Sequence, residues 1–161
     1  MATNYSVKFP LSRAAKLQKI STPLVVSAVA LLDSARKIFM QQRNLASVHG
    51  GLWEFPGGKL EPGETPDVAG ARELAEELGI ALRAADLIPV GFAADSGKDS
   101  VNGRPVVILL YACLRWQGVP NGHEAEAFGW FESSAIPKLP MPPLDYPLAA
   151  QLHRALVHNL L

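Results

Sequence analysis

The sequence has little cysteine, no surplus of charge of either sign and no long apolar run, and each shortage removes a class of protein. One cysteine, Cys113, among 161 residues leaves no internal disulfide. That fits a reducing compartment, and a cytoplasmic location is expected. Fifteen basic and fifteen acidic residues cancel. A protein that coats nucleic acid by bulk charge is basic, so direct nucleic-acid binding is not expected. No uncharged apolar stretch approaches the roughly 20 residues of a membrane span, so no membrane association is expected either. Repeats and low-complexity segments are absent too. What is present is a globular composition, with 48% hydrophobic residues. The length suits one domain, and a chain of this size buries about two-thirds of its unfolded surface.

Acids are also missing locally. Residues 1–32 contain none, against four bases, Lys8, Arg13, Lys16 and Lys19. Basic, acid-poor starts occur in transit peptides, but this one is not Arg-rich and lacks a secretory apolar stretch. The expectation is an N-terminal extension over residues 1–20 with a short helix capped by Ser12. The acids gather later, with seven of the fifteen between Glu54 and Glu77.

The remaining chain reads as strands, a helix, strands and a helix. Leu24 to Leu32 is a β-rich apolar run, and Lys37 to Arg43 can be its return strand in a hairpin. Asn44 to Gly51 is a polar, Gly-rich loop, and Leu52 to Phe55 a short extended piece. Thr65 and Pro66 predict a helix start, and Gly79 predicts its stop. Leu87 to Ala93, Pro105 to Trp116 and Phe128 to Phe131 predict strands, the second of them central. The four prolines from Pro137 to Pro143 predict a loop. A last helix is expected near Asp145, with Leu148, Leu152, Leu156 and Leu160 as one stripe. This order points to an α+β domain.

The helix after Pro66 carries two faces. Val68, Ala71, Ala75 and Leu78, with Leu74 beside them, are expected to face a core. Glu73, Glu76 and Glu77 fall at i, i+3 and i+4, so their carboxylates gather on another face. Two of them lie near the helix C-terminus, where the macrodipole disfavours negative charge. Two readings fit this face: a solvated acidic surface, or a site for a hard cation such as Mg²⁺, which takes carboxylate oxygens. The preceding segment favours the second. Gly57-Gly58 and Pro62-Gly63 let the backbone turn tightly and approach a ligand. Glu64 adds a carboxylate, and Lys59 and Arg43 can meet phosphate oxygens.

From Gly58 the chain reads GKLEPGETPDVAGARELAEELGI. This resembles the Nudix box, with Gly58, Glu64, Arg72, Glu73, Leu74, Glu76, Glu77, Gly79 and Ile80 at its defining places. The entry WEFPGGKLEPGETP resembles the MutT branch. The resemblance implies a Nudix hydrolase domain over residues 21–161, folded as an α/β/α sandwich with a mixed β-sheet. It implies a Mg²⁺-dependent hydrolase, with Mn²⁺ as a substitute. In the MutT branch a nucleoside triphosphate becomes monophosphate plus pyrophosphate, and oxidised dGTP is the expected substrate here. CTP or a modified dCTP is the alternative, and an idle nucleotide-binding module a third reading. A monomer is expected.

The resemblance also implies roles. The Gly57 carbonyl, Glu76 and Glu77 match metal ligands. Glu73 matches a residue that binds metal directly or through water and is a candidate base. Arg72 matches the arginine that holds the box glutamates, and Glu64 the glutamate that supports this network. A further acid downstream corresponds to Glu124 or, nearby, Glu126. Arg43 matches a phosphate-contacting arginine, and Glu54 and Phe55 line the nucleoside pocket. Asp145 stands where MutT carries an asparagine. An ionised aspartate only accepts hydrogen bonds. Base reading and capping of the last helix are both open for it. The four histidines show no zinc spacing with Cys113. His49, in the pocket loop, is the one that can touch substrate. Trp53, Trp116 and Trp130 are expected to be structural.

Overall fold

The run LVVSAVAL forms strand β1 (Leu24–Leu31), and everything at the site is built on it. The computed structural model describes residues 22–97 and 103–161. The expected N-terminal helix and its Ser12 cap lie outside those residues. After β1 come β2 (Ile38–Gln42), β3 (Trp53–Glu54), β4 (Gly57–Lys59) and helix α1 (Pro66–Leu78). Strands β5 (Ile88–Asp95), β6 (Val106–Cys113) and β7 (Ala127–Phe131) follow, then helix α2 (Asp145–Val157). Short 3₁₀ turns sit at Ala84–Asp86 and Ile136–Lys138.

The strands form a four-stranded sheet in the order β4-β1-β6-β5 and a three-stranded sheet in the order β3-β2-β7. The first is mixed: β1 runs parallel to β6 and antiparallel to β4. β6 is interior, as its apolar run VVILLYAC requires of a strand covered on both faces. Both helices pack on the first sheet, α1 against β1 and β4 and α2 against β5. One core cluster lies with α2, around Met40, Leu110, Leu148 and Leu152. The other lies with α1, around Val29, Phe39, Leu74 and Leu78. Fold class and mixed sheet agree with expectation.

Three local expectations need correction. The strand at Ile38 exists, but it is not the hairpin partner of β1. Both edges of β1 are taken by β4 and β6, so the two strands share only the bridge Leu32↔Ile38. β2 pairs instead with β3 and β7. The buried face of α1 is Ala69, Gly70, Leu74 and Leu78, while Val68 is 45% exposed and Ala75 is exposed. The buried face keeps the helical period but lies about one residue away from the expected phase in the first turns. The reason is Gly70. A Cβ there would lie 2.8 Å from Ser27 Oγ and 3.1 Å from Val29 Cγ2. The small pair Ala69-Gly70 therefore lets α1 seat closely on β1. Finally, Leu160 lies beyond α2 and is exposed, so the leucine stripe ends with the helix.

Candidate active site

The site is assembled where β4 lies on β1 beneath α1. The register Ala28↔Gly57 and Ser27↔Gly58 places the two glycines directly on β1. Gly57 has φ +146°, and a Cβ there would overlap the Ser27 carbonyl oxygen and reach within 2.7 Å of Ala28 Cα. Only glycine fits that position. A Cβ on Gly58 would overlap the Glu73 carboxylate. The glycines thus let the acidic face of α1 come down onto the strand.

Arg72 is the hub of that face. Its Nε and Nη2 donate to the two oxygens of Glu64 at 2.8 and 2.9 Å. Its Nη1 donates to Glu73 at 2.9 Å and to Glu76 at 3.3 Å, and its Nη2 also donates to the Lys59 carbonyl at 3.1 Å. The guanidinium fork is thereby saturated by three carboxylates and a carbonyl. Arg72 pairing, with the Glu61 N–H, holds the Glu64 carboxyl down at about 2.

Glu77 stands apart from this hub. Its Oε2 accepts from Gly57 N and from Gln41 Nε2, each at 3.1 Å, and its Oε1 has no protein partner among the described residues. Burial pushes its carboxyl up to about 7, against those two donors, and the Glu54 and Glu73 charges add to the rise. Beyond Glu77 lies a second group. Arg43 pairs with Glu54 and donates through Nε to the Val48 carbonyl at 2.8 Å. Burial raises the Glu54 carboxyl despite Arg43. Asp145 is buried, and its Oδ1 accepts from Phe55 N at 3.3 Å. Burial lifts it to about 7. It does not cap α2: Leu144 holds the N-cap position and no side chain caps the helix.

The expected residues therefore fall into two adjoining groups. Glu64, Arg72, Glu73 and Glu76 form one network, and Arg43, Glu54, Phe55 and Asp145 line the other. Glu77 and Gly57 stand between them. Glu124 and Glu126 are both exposed, and Glu126 accepts from Leu45 N at 3.1 Å. The His123 amide donates to the Glu77 carbonyl at 3.1 Å, which brings this loop to the C-terminal end of α1. Lys59 and His49 are exposed. Trp116 stacks on Trp130 and Trp53 meets Phe131 edge-on, in keeping with structural roles. Two residues were missed. Gln41 is a buried amide in the strand IFMQQ, and with Gln42 and Arg43 directly after it its polarity gave no separate signal. Ser27, fully buried on β1 under Gly70, has an unsatisfied hydroxyl and gave no signal in an apolar run.

The donor set is all oxygen, which fits a hard divalent cation. Among the described residues, however, no three His, Cys, Asp or Glu side chains converge on one point. Glu73 and Glu76 are turned onto Arg72, and Glu77 onto Gly57 and Gln41. The residues that would hold such a cation are Glu73, Glu76 and Glu77, and it would neutralise their clustered charge.

The raised carboxyls make a pH prediction. Glu77 and Asp145 have ordinary values of 4.5 and 3.8 and rise to about 7 in the fold. Their contribution to stability is full below the ordinary values and lost as pH rises through about 7. Without added metal, the melting temperature is expected to fall between about pH 5 and pH 8. Glu77→Gln and Asp145→Asn each flatten that fall in melts across the range. Glu64 works in the opposite direction, its pairing failing only as pH drops through about 2.

The comparisons with known proteins agree with this geometry. The NUDIX domain model matches residues 21–152. A CTP pyrophosphohydrolase of Escherichia coli is 34% identical over 125 residues, covering 78% of this chain and 88% of the relative. An 8-oxo-dGTP diphosphatase of Proteus vulgaris is 48% identical over 94 residues, 58% of this chain and 79% of the relative. The crystal structure of a MutT Nudix hydrolase from Burkholderia pseudomallei superimposes with a TM-score of 0.65 at 29% identity, over 82% of this chain and 97% of the other. Nudix hydrolases generally need a divalent metal and act on nucleotides, and with its box intact on a two-helix mixed-sheet fold, this chain belongs to the Nudix hydrolase family.

Proposed function

We propose that the chain is a Mg²⁺-dependent nucleoside triphosphate pyrophosphohydrolase, acting on 8-oxo-dGTP to clean the nucleotide pool. The observation that carries the reading is Glu77 and Glu73 of α1 brought onto Gly57 and Gly58, beside the half-buried group of Arg43, Glu54 and Asp145. In this reading Gly57, Glu73, Glu76, Glu77 and Glu124 hold the cation, for which Mn²⁺ can substitute. Glu126 is tied to the Leu45 amide, which favours Glu124. A bound divalent cation supplies neutralisation of the triphosphate charge. Glu73 takes the proton of the attacking water. Water adds to the β-phosphorus, and the bond from that phosphorus to the bridging α-phosphate oxygen breaks. Monophosphate and pyrophosphate leave. Arg72 and Glu64 fix Glu73 and Glu76 before the cation arrives. Arg43 contacts phosphate, while Glu54, Phe55 and Asp145 receive the nucleoside. The enzyme acts as a cytoplasmic monomer without binding nucleic acid.

A second reading keeps the chemistry and changes the base to cytosine. The 34% identity to a CTP pyrophosphohydrolase favours it, and Asp145 can accept from the amino group of a guanine or a cytosine. Asp145→Asn separates the two. The change swaps an acceptor for a donor-acceptor pair, and a hydrogen bond to a charged group is worth about 1.5–3 kcal/mol. The ratio of kcat/KM for 8-oxo-dGTP to that for CTP is expected to shift about tenfold or more. An unchanged ratio removes Asp145 from base selection.

A further inference from the structure

Gln41 is 7% exposed and sits at the one place where the two groups of carboxylates meet. In the β2–β3 ladder it lies opposite Glu54, and across the site its Nε2 donates to Glu77 Oε2 at 3.1 Å. Its amide also favours the charged form of Glu54, though burial outweighs it. A carboxamide nitrogen has two hydrogens, and ionised carboxylates only accept, so the nitrogen must face this pair. One NH₂ group therefore stands between two half-buried carboxylates that otherwise repel each other. The second donor to Glu77 is Gly57 N, on the same oxygen. Oε2 is thus held twice, and Oε1 is left without a protein partner among the described residues.

We infer that Gln41 is a positioning residue, which fixes Glu77 with one oxygen presented for a cation and keeps it clear of Glu54. The inference rests on the metal-site reading above. Gln41 touches neither substrate nor cation in it; it acts through Glu77. An outer partner of this kind typically accounts for about 10–100-fold in metal affinity or activity. Without its amide, Glu77 keeps a single donor and faces the Glu54 charge directly.

The test is Mn²⁺ binding without nucleotide, read from the loss of the free-ion signal in electron paramagnetic resonance titrations. Wild type is compared with Gln41→Met, Gln41→Asn and Glu77→Gln, and each is melted alongside. Met fills the same space without a donor. Asn keeps an amide but withdraws it by one methylene, and it serves if the Met variant folds poorly. The expected result is Mn²⁺ affinity lowered about tenfold or more in both Gln41 variants. Their kcat falls in step, while the KM for nucleotide changes less. Affinity at the wild-type level in a folded Gln41 variant, with Glu77→Gln weakened, overturns the role of Gln41 alone. Wild type that binds no Mn²⁺, or binds it equally well as Glu77→Gln, overturns the metal-site reading beneath it.

Discussion

Glu73→Gln and Glu77→Gln are both expected to lose most turnover while keeping the fold, Glu73→Gln by about 10²–10⁴-fold, the range typical for removing a positioned general base. Neither residue carries the core. Glu73 spends its carboxylate on Arg72, and Glu77 on Gly57 N and Gln41. The amide of Gln is nearly isosteric, so packing under α1 stays. At Glu73, however, the base is gone. At Glu77 the charge is gone from a half-buried carboxylate whose second oxygen has no protein partner among the described residues. Circular dichroism and melting curves should match wild type below pH 5, where Glu77 is already neutral. Initial rates with 8-oxo-dGTP and Mg²⁺ supply the activity half of the test. Wild-type turnover in both variants would remove the α1 face as the site.

Gly57→Ala is expected to give the largest loss of stability. At φ +146° an L-residue is strained, and the added methyl meets the backbone of Ser27 and Ala28 rather than a movable side chain. Strain of this kind costs about 1–3 kcal/mol and overpacking a further 1–3. The melting temperature should drop by about 5–15 °C for a chain of this length. Gly58→Ala is the informative contrast. Its methyl meets first the Glu73 carboxylate, the far end of a flexible side chain. Glu73 must then leave Arg72, so activity should fall while the melting temperature holds. Equal melting for the two variants would show that β4 does not seat on β1 as described.

The region from Gly57 to Ile80 was legible in the sequence because its constraints are local. Pro66 and Gly79 bound α1 at the residues expected, and the i, i+3, i+4 spacing of Glu73, Glu76 and Glu77 fixes which carboxylates share a face. Arg72 reaches Glu64 only eight residues away. What escaped depends on tertiary contacts. Pattern alone cannot tell that β6 and β4 occupy both edges of β1, so the return strand after Asp33-Ser34-Ala35 was given the wrong partner. Gly70 reads as a weak helix residue, and its close approach to Ser27 and Val29 reset the phase of the buried face. Asp145 begins α2 as expected. Its tie to Phe55 N spans 90 residues, and no local rule separates it from a cap. Gln41 was hidden for the same reason, since its partner Glu77 lies 36 residues on.

The most direct measurement is product identity across a nucleotide panel with Mg²⁺: 8-oxo-dGTP, dGTP, CTP, dCTP, ADP-ribose and a dinucleoside polyphosphate. The expected result is Mg²⁺-dependent release of pyrophosphate and nucleoside monophosphate, with 8-oxo-dGTP turned over best. Turnover confined to ADP-ribose or the dinucleoside polyphosphate, or release of orthophosphate from the triphosphates, would contradict the proposed reaction.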